Sequence, residues 1–388
     1  MRRAAIVSPV RTPSGVDRGA LFGLSPAGLA TAVLDHVVER SGIDRGCIED
    51  VALAGVDGTA LAGLALPGFV TDRRCGSGLQ ALITAAMMVQ TGAADVVVAG
   101  GVESASRPVG PDRKALANAE ALAHYYGIGR FEADEFTVAS HRKAARAWRQ
   151  GIFANEMVSA GRAAGPGGRL DHMLTDSAAH RILRDEGVIE EISAQTLGML
   201  EPMLPDGVVT VANMSSHRHG AAGCLVVAED RLEDLGLRPI AFLTGWAAAG
   251  TDTRTATLGA APAVAKLLGR TGLTLDDMDL VEINEGFAVE VLALAREWEL
   301  DPRTRLNVNG SALALGHPVG ATGLRIMTTM LHELARGDGR YALEVIGLGP
   351  DHGIAALFES ARTPPVVETP RGARFHGARP TRFGRHRA

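Results

Sequence analysis

One cysteine of the chain stands at the start of an apolar helical stretch, in the run DRRCGSG at residues 72–78. The amino end of a helix carries the positive end of the helix dipole, which favours a thiolate over a thiol. Because the thiolate is the nucleophilic form, this placement suits covalent catalysis by Cys75. The competing interpretation is a small buried core residue, which is the usual environment of a free cysteine.

Two further segments carry residue types that serve catalysis. His317 lies between Gly316 and Pro318, on a glycine-rich loop before a helical stretch. A near-neutral pKa lets a histidine take a proton from a thiol and later donate hydrogen bonds to an oxyanion. Asn284 follows an apolar strand in the run VEINEGFA, at the kind of strand end where ligands of α/β sheets bind. The alternatives are a turn histidine without function and an asparagine that caps a helix.

The elements that must position these residues follow from apolar runs of strand length that alternate with helical patterns. This alternation predicts an α/β fold built of helix and strand layers. The predicted strands are 4–8, 51–55, 95–100, 224–228, 240–245, 279–283, 342–346 and 354–358. The predicted helices are 26–41, 77–90, 261–270, 286–299 and 321–336. Two comparable sets, on either side of about residue 237, predict two similar halves packed together.

The middle and the end of the chain depart from this alternation. Residues 107–206 are charged and helix-rich, with one long helix predicted over 132–150 and a glycine-rich break at 165–168. We interpret them as a loop domain inserted into an N-terminal half that comprises 1–106 and 207–236, followed by a C-terminal half over 237–360. The last segment, 361–388, carries seven arginines and one acid, and it predicts a disordered basic tail.

The composition excludes several classes of protein. With 388 residues, 46% of them hydrophobic and 21% charged, the chain can fill sizeable cores and is not largely disordered. Its three cysteines include no CxxC pair, which indicates neither a disulfide framework nor a zinc site and fits a reducing, cytoplasmic location. The first residues favour a strand over a signal peptide, and no apolar run is long enough to cross a bilayer. Since the net charge is −5 although the tail contributes +6, the acidic body argues against nucleic acid as a partner.

Three motifs together resemble those of the thiolase family. They are the cysteine run CGSGLQAL, the run NEGFA and the run GHPVGATG, which occur in the family's order and spacing. Residues 11–15, 100–104 and 207–223 are also similar to thiolase segments. The resemblance covers roughly residues 1–360. It implies a thiolase-like α/β fold in which two similar βα halves form a layered α/β/α/β/α core, with a helical loop domain inserted in the first half.

The resemblance also implies a ping-pong acyl transfer. The Cys75 thiolate would attack an acyl-CoA or acyl-carrier thioester, assisted by His317, and would hold the acyl group as a thioester. His317 and a water held by Asn284 would form one oxyanion pocket, and the backbone amides of Cys75 and Gly349 the other. Ser215 matches the family serine beside CoA. CoA thioester is a substrate here, no permanently bound cofactor and no metal are expected, and a homodimer or homotetramer is a family expectation.

The sequence departs from the family pattern at several positions. Thiolases usually carry a second cysteine near the C-terminus as the acid/base of the carbon–carbon step, and the aligned position here is Gly347, which cannot transfer a proton. His124 cannot be matched to the family's loop histidine, and His219 replaces an aspartate of the CoA-side loop. A metal site on His217 and His219 is disfavoured, because no carboxylate or cysteine cluster accompanies them.

Three functions stay open on these residues. In the preferred one, a carbon nucleophile attacks acyl-Cys75 in a specialised biosynthetic pathway, with Asp351 or His352 as the base or with decarboxylation of a malonyl-type acceptor. Asp351 and His352 are more simply explained, however, as an exposed turn after a strand. In the second, the acceptor is an amine, an alcohol or a thiol, which needs no α-proton removal. The third is a non-catalytic CoA-binding or scaffold partner, which the retention of Cys75 and His317 disfavours.

Overall fold

The computed structural model describes residues 2–55, 61, 64–104, 112–160, 184–251, 258–349 and 351–362. Within these residues the strands are β1 (Ala4–Arg11), β2 (Asp50–Ala54), β3 (Gly68–Thr71), β4 (Val96–Glu103), β5 (Gly220–Ala228), β6 (Ala241–Gly250), β7 (Leu280–Ile283), β8 (Tyr341–Gly347) and β9 (His352–Ser360). The α-helices are α1 (Pro26–Ser41), α2 (Ser77–Thr91), α3 (Arg113–Tyr126), α4 (Arg130–Arg149), α5 (Ala194–Gly198), α6 (Ala261–Thr271), α7 (Ala288–Glu297), α8 (Ala312–Leu315) and α9 (Thr322–Arg336). None of these helices combines the length and the apolar character that crossing a membrane requires.

All of these strands join in one hydrogen-bonded sheet, in the order β3-β2-β4-β5-β1-β6-β9-β8-β7. The first five belong to the N-terminal half of the chain and the last four to the C-terminal half. Each group has parallel strands at its outer edge, β3-β2-β4 in one and β8-β7 in the other, and antiparallel strands toward the middle. The halves meet where Ala4–Ile6 of β1 pair with Ala241–Leu243 of β6. Two similar halves are therefore present, as the alternation of elements predicts.

The helices cover the sheet in layers. Helices α2 and α9 pack on each other in the middle, and the buried cluster around them takes residues from both halves, including Val97 of β4 and Phe358 of β9. Helix α1 covers the outer face of the first half, and α6 and α7 cover the outer face of the second. This arrangement confirms the α/β/α/β/α layering, and α2 is buried nearly all round, as its apolar sequence predicts.

Four elements were not predicted from the sequence, namely strand β3, helix α3 and the short helices α5 and α8. Strand β3 has only four residues, lies at the edge of the sheet and is partly exposed. Its sequence therefore contains no apolar run long enough to predict a strand. Helix α3 begins after Asp112, whose carboxylate accepts a hydrogen bond from the Lys114 amide at 2.8 Å, a normal N-terminal cap. The long helix predicted over 132–150 is α4. The basic tail from residue 363 and the break at 165–168 lie outside the described residues, and the domain boundaries stay a prediction.

A buried arginine connects β1 with the segment that follows α4. The guanidinium of Arg11, which is fully buried, donates to the two carboxylate oxygens of Asp185 at 2.8 and 3.0 Å. It also donates to Glu156, and Asp185 accepts a further bond from the Ser14 amide at 2.8 Å. Although burial opposes it, the charges of Asp185 and Glu156 raise the pKa of Arg11. These bonds hold the inserted region on the N-terminal half, in addition to the apolar contacts that Val158 and Ala160 make with its core.

Glycines from both halves touch where the central helices begin. A Cβ atom on Gly320, in the loop before α9, would overlap the Val102 carbonyl oxygen and the Cα of Gly55. A Cβ on Gly101 would lie 2.5 Å from the Gly320 carbonyl oxygen, and one on Gly78 would lie 3.0 Å from the same atom. Backbone therefore packs directly on backbone, which brings the loop before α9 against the first turn of α2.

We expect Gly320→Ala to destabilise the protein, because the added methyl group meets rigid backbone that cannot move aside. Overpacking of this kind costs about 2 kcal/mol, so the midpoint of urea unfolding should fall clearly. The control is Gly269→Ala inside α6, where an added Cβ has no atom within 4 Å. That change should leave the midpoint unchanged or raise it, since alanine is the better helix former. Equal midpoints for the two variants would contradict the packing argument.

Candidate active site

Cys75 lies in the tight turn immediately before α2. Arg74, the preceding residue, has a φ of +51°, and the Ser77 hydroxyl donates to its carbonyl oxygen at 2.6 Å, which stabilises the turn. The other side of the turn faces the connection between β8 and β9, since a Cβ on Gly76 would lie 2.8 Å from the Leu348 side chain. The thiol is therefore held between the central helices and the end of β8.

His317 approaches this thiol from the loop before α9. Its Nε2 atom lies 3.1 Å from Cys75 Sγ, and the side chain is only 5% exposed. The loop is fixed on its other side, where the His317 amide donates to the Ser216 carbonyl at 3.1 Å and the Arg218 amide donates to the His317 carbonyl at 3.3 Å. The structure thus brings together the two residues that the sequence singles out separately.

The hydroxyl of Thr322 determines which nitrogen of His317 carries the proton. Thr322 Oγ1 lies 2.8 Å from the Pro318 carbonyl oxygen, which can only accept, so the hydroxyl donates there. The same oxygen lies 3.0 Å from His317 Nδ1 and must accept from it. Nε2 is then unprotonated and directs its lone pair at Cys75, which is the arrangement that a base for the thiol proton requires.

Burial keeps this pair uncharged in the free protein. Burial, and then the nearby charge of Glu290, raises the pKa of the Cys75 thiol to about 11. Burial, followed by the charges of His217 and Arg325, lowers the pKa of His317 to about 3. A thiol therefore faces a neutral imidazole at neutral pH. The expectation that the helix end makes Cys75 a thiolate is wrong for the resting protein, because loss of solvation outweighs the dipole.

Asn284 carries a buried side-chain oxygen without a partner among the described residues. The residue follows β7 and is 5% exposed, and its backbone N–H donates to the Val345 carbonyl at 2.9 Å. Its side-chain oxygen Oδ1 is buried and has no hydrogen-bond partner among the described residues. The capping alternative is wrong, because the N-cap of α7 is Phe287. An orphaned buried acceptor fits the expected role of holding a water, since such atoms are normally paired.

The remaining predicted site residues surround this centre. Gly349 has a φ of +87°, and a Cβ there would lie 3.1 Å from the Arg74 guanidinium, next to the cysteine turn. Ser215 is 8% exposed, and its amide donates to the Gly286 carbonyl at 2.9 Å, beside the NEGFA run. At Gly347 an added Cβ would have no atom within 4 Å, so no side chain fills the place of the family's second cysteine.

The other titratable candidates from the sequence do not form a second reactive cluster. The His352 ring is 59% exposed and its Nδ1 lies 3.0 Å from Asp351 Oδ1, a contact that lowers the pKa of Asp351. His219 is buried with its ring 6.2 Å from that of Phe22, and His124 is exposed on α3. In the described part of the chain, no three His, Cys, Asp or Glu side chains converge as metal ligands.

Two residues near the thiol were missed in the sequence. Thr322 follows His317 by five positions inside the glycine-rich motif, and nothing in its residue type predicts a bond to the imidazole. Glu290 is the one charged residue in the run AVEVLALA of α7, and burial raises its pKa to about 7. An acid within an otherwise apolar helical turn is the signal that could have drawn attention to it.

The protonation of the pair predicts how alkylation of Cys75 depends on pH. Because the thiol pKa is raised to about 11, the thiolate fraction should increase about tenfold per pH unit between pH 7 and 10. The rate of iodoacetamide labelling, followed by intact mass, should increase in the same way. A Cys47→Ser background removes the other partly exposed thiol, and Cys75→Ser identifies the labelled site. A rate that is already constant below pH 8 would instead indicate an ion pair of thiolate and imidazolium.

In the acyl transfer that the resemblance implies, Thr322→Val should slow the acylation of Cys75. Without the hydroxyl, Nδ1 loses its acceptor and the imidazole can adopt the tautomer that is protonated at Nε2, which cannot accept the thiol proton. Tautomer errors are costly in such pairs, and we expect a loss of at least about tenfold. The measurement is the single-turnover rate of adduct formation with an acyl-CoA. Thr322→Ser keeps the hydroxyl and should retain most of the rate, whereas an equal loss in both variants would indicate a packing effect.

The chain is similar to known proteins over most of its length. The model of the thiolase N-terminal domain matches residues 4–117 and 109–230, and that of the thiolase C-terminal domain matches 237–360. The β-ketoadipyl-CoA thiolase of Escherichia coli is 34% identical, over 92% of this chain and 100% of that protein. Steroid 3-ketoacyl-CoA thiolase FadA6 of Mycobacterium tuberculosis is 33% identical, over 89% of this chain and 91% of that protein.

Solved structures give the same result. The acetyl-CoA acetyltransferase of Bacillus anthracis superposes with a TM-score of 0.82 at 31% identity, covering 93% of this chain and 99% of that one. Human mitochondrial 3-ketoacyl-CoA thiolase, solved in complex with CoA, gives a TM-score of 0.82 at 28% identity over 93% and 98% of the two chains. The two domain models together span nearly all of the residues predicted to fold. The chain therefore belongs to the thiolase family of acyltransferases.

Proposed function

We propose that the protein forms an acyl-Cys75 thioester from an acyl-CoA or acyl-carrier donor and passes the acyl group to a carbon nucleophile. The reaction is a Claisen-type condensation or its reverse. The observation that carries this proposal is the 3.1 Å approach of His317 Nε2 to Cys75 Sγ, with the lone pair of that nitrogen directed at the thiol. The names of the relatives, a β-ketoadipyl-CoA thiolase and an acetyl-CoA acetyltransferase, support the same reaction type.

Acylation follows from the neutral pair. His317 Nε2 takes the thiol proton as Cys75 Sγ attacks the thioester carbonyl, and the CoA sulfur leaves with that proton. Because burial lowers the pKa of His317 to about 3, the imidazolium is a strong acid and returns its proton readily to the leaving thiolate. Charge separation in the site is therefore brief, and the pair is neutral again once the thioester has formed.

The proposal includes two oxyanion pockets. We place His317 and a water on the free Asn284 oxygen at one of them, and the amides of Cys75 and Gly349 at the other. Preorganised donors of this kind are worth a few kcal/mol each, or about 10²–10³ in rate. In this proposal Ser215, beside the Gly286 carbonyl, contacts the CoA portion of the donor, and CoA acts as a substrate rather than a bound cofactor.

The assembly and location belong to the same proposal. Strand β3 ends the sheet order and its Val70 side chain is 38% exposed, so an unpaired apolar edge supports a homodimer or homotetramer. Cys47, Cys75 and Cys224 are all free, which supports a reducing, cytoplasmic location. The open space at Gly347 is the reason to propose a specialised biosynthetic reaction, because the usual second cysteine is replaced there.

A mass-spectrometric assay tests the proposal. Wild-type protein incubated with acetyl-CoA should gain the mass of one acetyl group, and Cys75→Ser should gain none. The acetylated protein should then form a 3-ketoacyl thioester when acetyl-CoA or malonyl-CoA is added as the acceptor. In the reverse direction, CoA should cleave 3-ketoacyl-CoA. Rapid thiolysis under physiological conditions, however, would contradict the biosynthetic assignment.

The outcomes separate the proposal from its alternatives. Turnover with amines, alcohols or thiols, and none with carbon acceptors, would assign a plain acyltransferase. Product from malonyl-CoA alone would assign decarboxylation as the source of the carbanion. The absence of an adduct with every acyl donor, from short to long chains, would leave a CoA-binding or scaffold partner and would overturn acyl transfer through Cys75.

A further inference from the structure

Helix α7 presents a carboxylate that the acylation chemistry does not use. Glu290 lies in the first turn of this helix, six residues after Asn284. No hydrogen bond or ion pair to its carboxylate occurs among the described residues, although buried carboxylates are normally paired. The residue as a whole is half-buried.

The carboxylate lies over the NEGFA run, next to the asparagine of the site. A Cβ atom on Gly286 would lie 3.1 Å from Glu290 Oε2 and 3.9 Å from Asn284 Nδ2. The two side chains therefore approach the same small volume above Gly286. An alanine at position 286 would intrude on the carboxylate, so the glycine leaves the room that Glu290 occupies.

The charge of Glu290 acts directly on Cys75. After burial it is the next largest cause of the raised pKa of the thiol. Burial alone raises the pKa of Glu290 to about 7, and no cation offsets this effect. The charged groups of the neighbouring helices meet α7 at its other end, where Tyr126 donates to Glu297 and Glu132 pairs with Arg296. The charge of Glu290 therefore adds to burial in raising the pKa of Cys75.

The other candidates for a proton carrier are less well placed. Gly347 carries no side chain, and the space beside it is open. Asp351 and His352 bind each other, and the His352 ring is largely exposed, where water competes for its protons. Glu290 is unpaired among the described residues, its pKa is raised to about 7, and its charge raises the pKa of the Cys75 thiol. It therefore meets the requirements of a general base better than either.

We propose that Glu290 is the acid/base of the carbon–carbon step, taking the place of the second cysteine of the family. The inference rests on the proposed function, since it requires an acceptor that attacks acyl-Cys75. The acceptor is a thioester with an enolisable α-CH group, such as a second acyl-CoA. A malonyl-type acceptor, which loses CO₂ instead of a proton, would not need this group.

The step balances without any further reactant. The Glu290 carboxylate takes the α-proton, so the C–H bond breaks, an O–H bond forms, and its electron pair gives the enolate. The enolate carbon attacks the acyl-Cys75 carbonyl, the new C–C bond forms, and the C–S bond breaks to release the Cys75 thiolate. The proton on Glu290 then returns to this sulfur, which restores the neutral thiol. In thiolysis the same proton moves in the opposite direction.

The test compares Glu290→Gln with Glu297→Gln, two carboxylate-to-amide changes on one helix. Glu297 is exposed at the other end of α7 and bonds only Tyr126 among the described residues. Each variant is assayed for acetylation of Cys75 by intact mass, for condensation of acetyl-CoA, and for exchange of the acetyl α-protons with deuterium oxide by mass spectrometry.

Glu290→Gln should still acetylate Cys75 within a few-fold of wild type, because that half-reaction uses His317. Its condensation and its deuterium exchange should fall at least about 100-fold, as is typical for loss of a general base. Glu297→Gln should resemble wild type in all three assays. In the wild type, condensation should increase with pH up to about 7 and then level off, as Glu290 loses its proton, and this step in the profile should be absent from Glu290→Gln.

Three results would overturn the inference. They are unchanged condensation in Glu290→Gln, a parallel loss of acetylation and condensation that reveals a structural role, and a loss of deuterium exchange in Asp351→Asn instead. A wild-type protein that never acetylates Cys75 would refute the proposed function itself, and intact mass distinguishes that failure from the other three. Restoration of exchange by Glu290→Asp would further separate a proton-transfer role from simple packing.

Discussion

Direct contact between the backbones of the two halves is the constraint on which the site depends. Gly320 leaves no gap to Gly55 and Val102, and this contact sets where α9 begins relative to α2. The nucleophile and its partner come from opposite halves, and their 3.1 Å separation is a consequence of this packing. A methyl group at the contact would act on the whole geometry, since catalytic groups tolerate displacements of well under 1 Å.

The same packing explains why the site is uncharged at rest. The centre is dry enough to raise the thiol pKa and to lower that of the imidazole, so neither ionises before a substrate arrives. Low polarity also makes each fixed donor more effective when an oxyanion forms. The same burial raises the pKa of Glu290 to about 7. Protonation states in this centre are therefore coupled, and they are set by exclusion of water.

Residues whose roles are local to a motif could be predicted from the sequence. Cys75 before a buried helix, His317 on a constrained loop and Asn284 at a strand end were found in this way, together with the layered α/β core. Glu290 was missed because Cys75, the thiol on which its charge acts, is distant from it in sequence. The protonation of Cys75 was misjudged for the same reason: the dipole of α2 can be inferred locally, whereas the extent of burial depends on every layer around it.

The continuous sheet has a consequence for substrate selection. Because Ala4–Ile6 and Ala241–Leu243 are hydrogen-bonded neighbours, the two halves share one ladder and cannot rotate apart without breaking main-chain bonds. A hinge between the halves, of the kind that closes many two-lobed enzymes over their ligands, is therefore excluded here. In the proposed reaction, discrimination among acyl chains must then come from side chains and loops rather than from rotation of one half against the other.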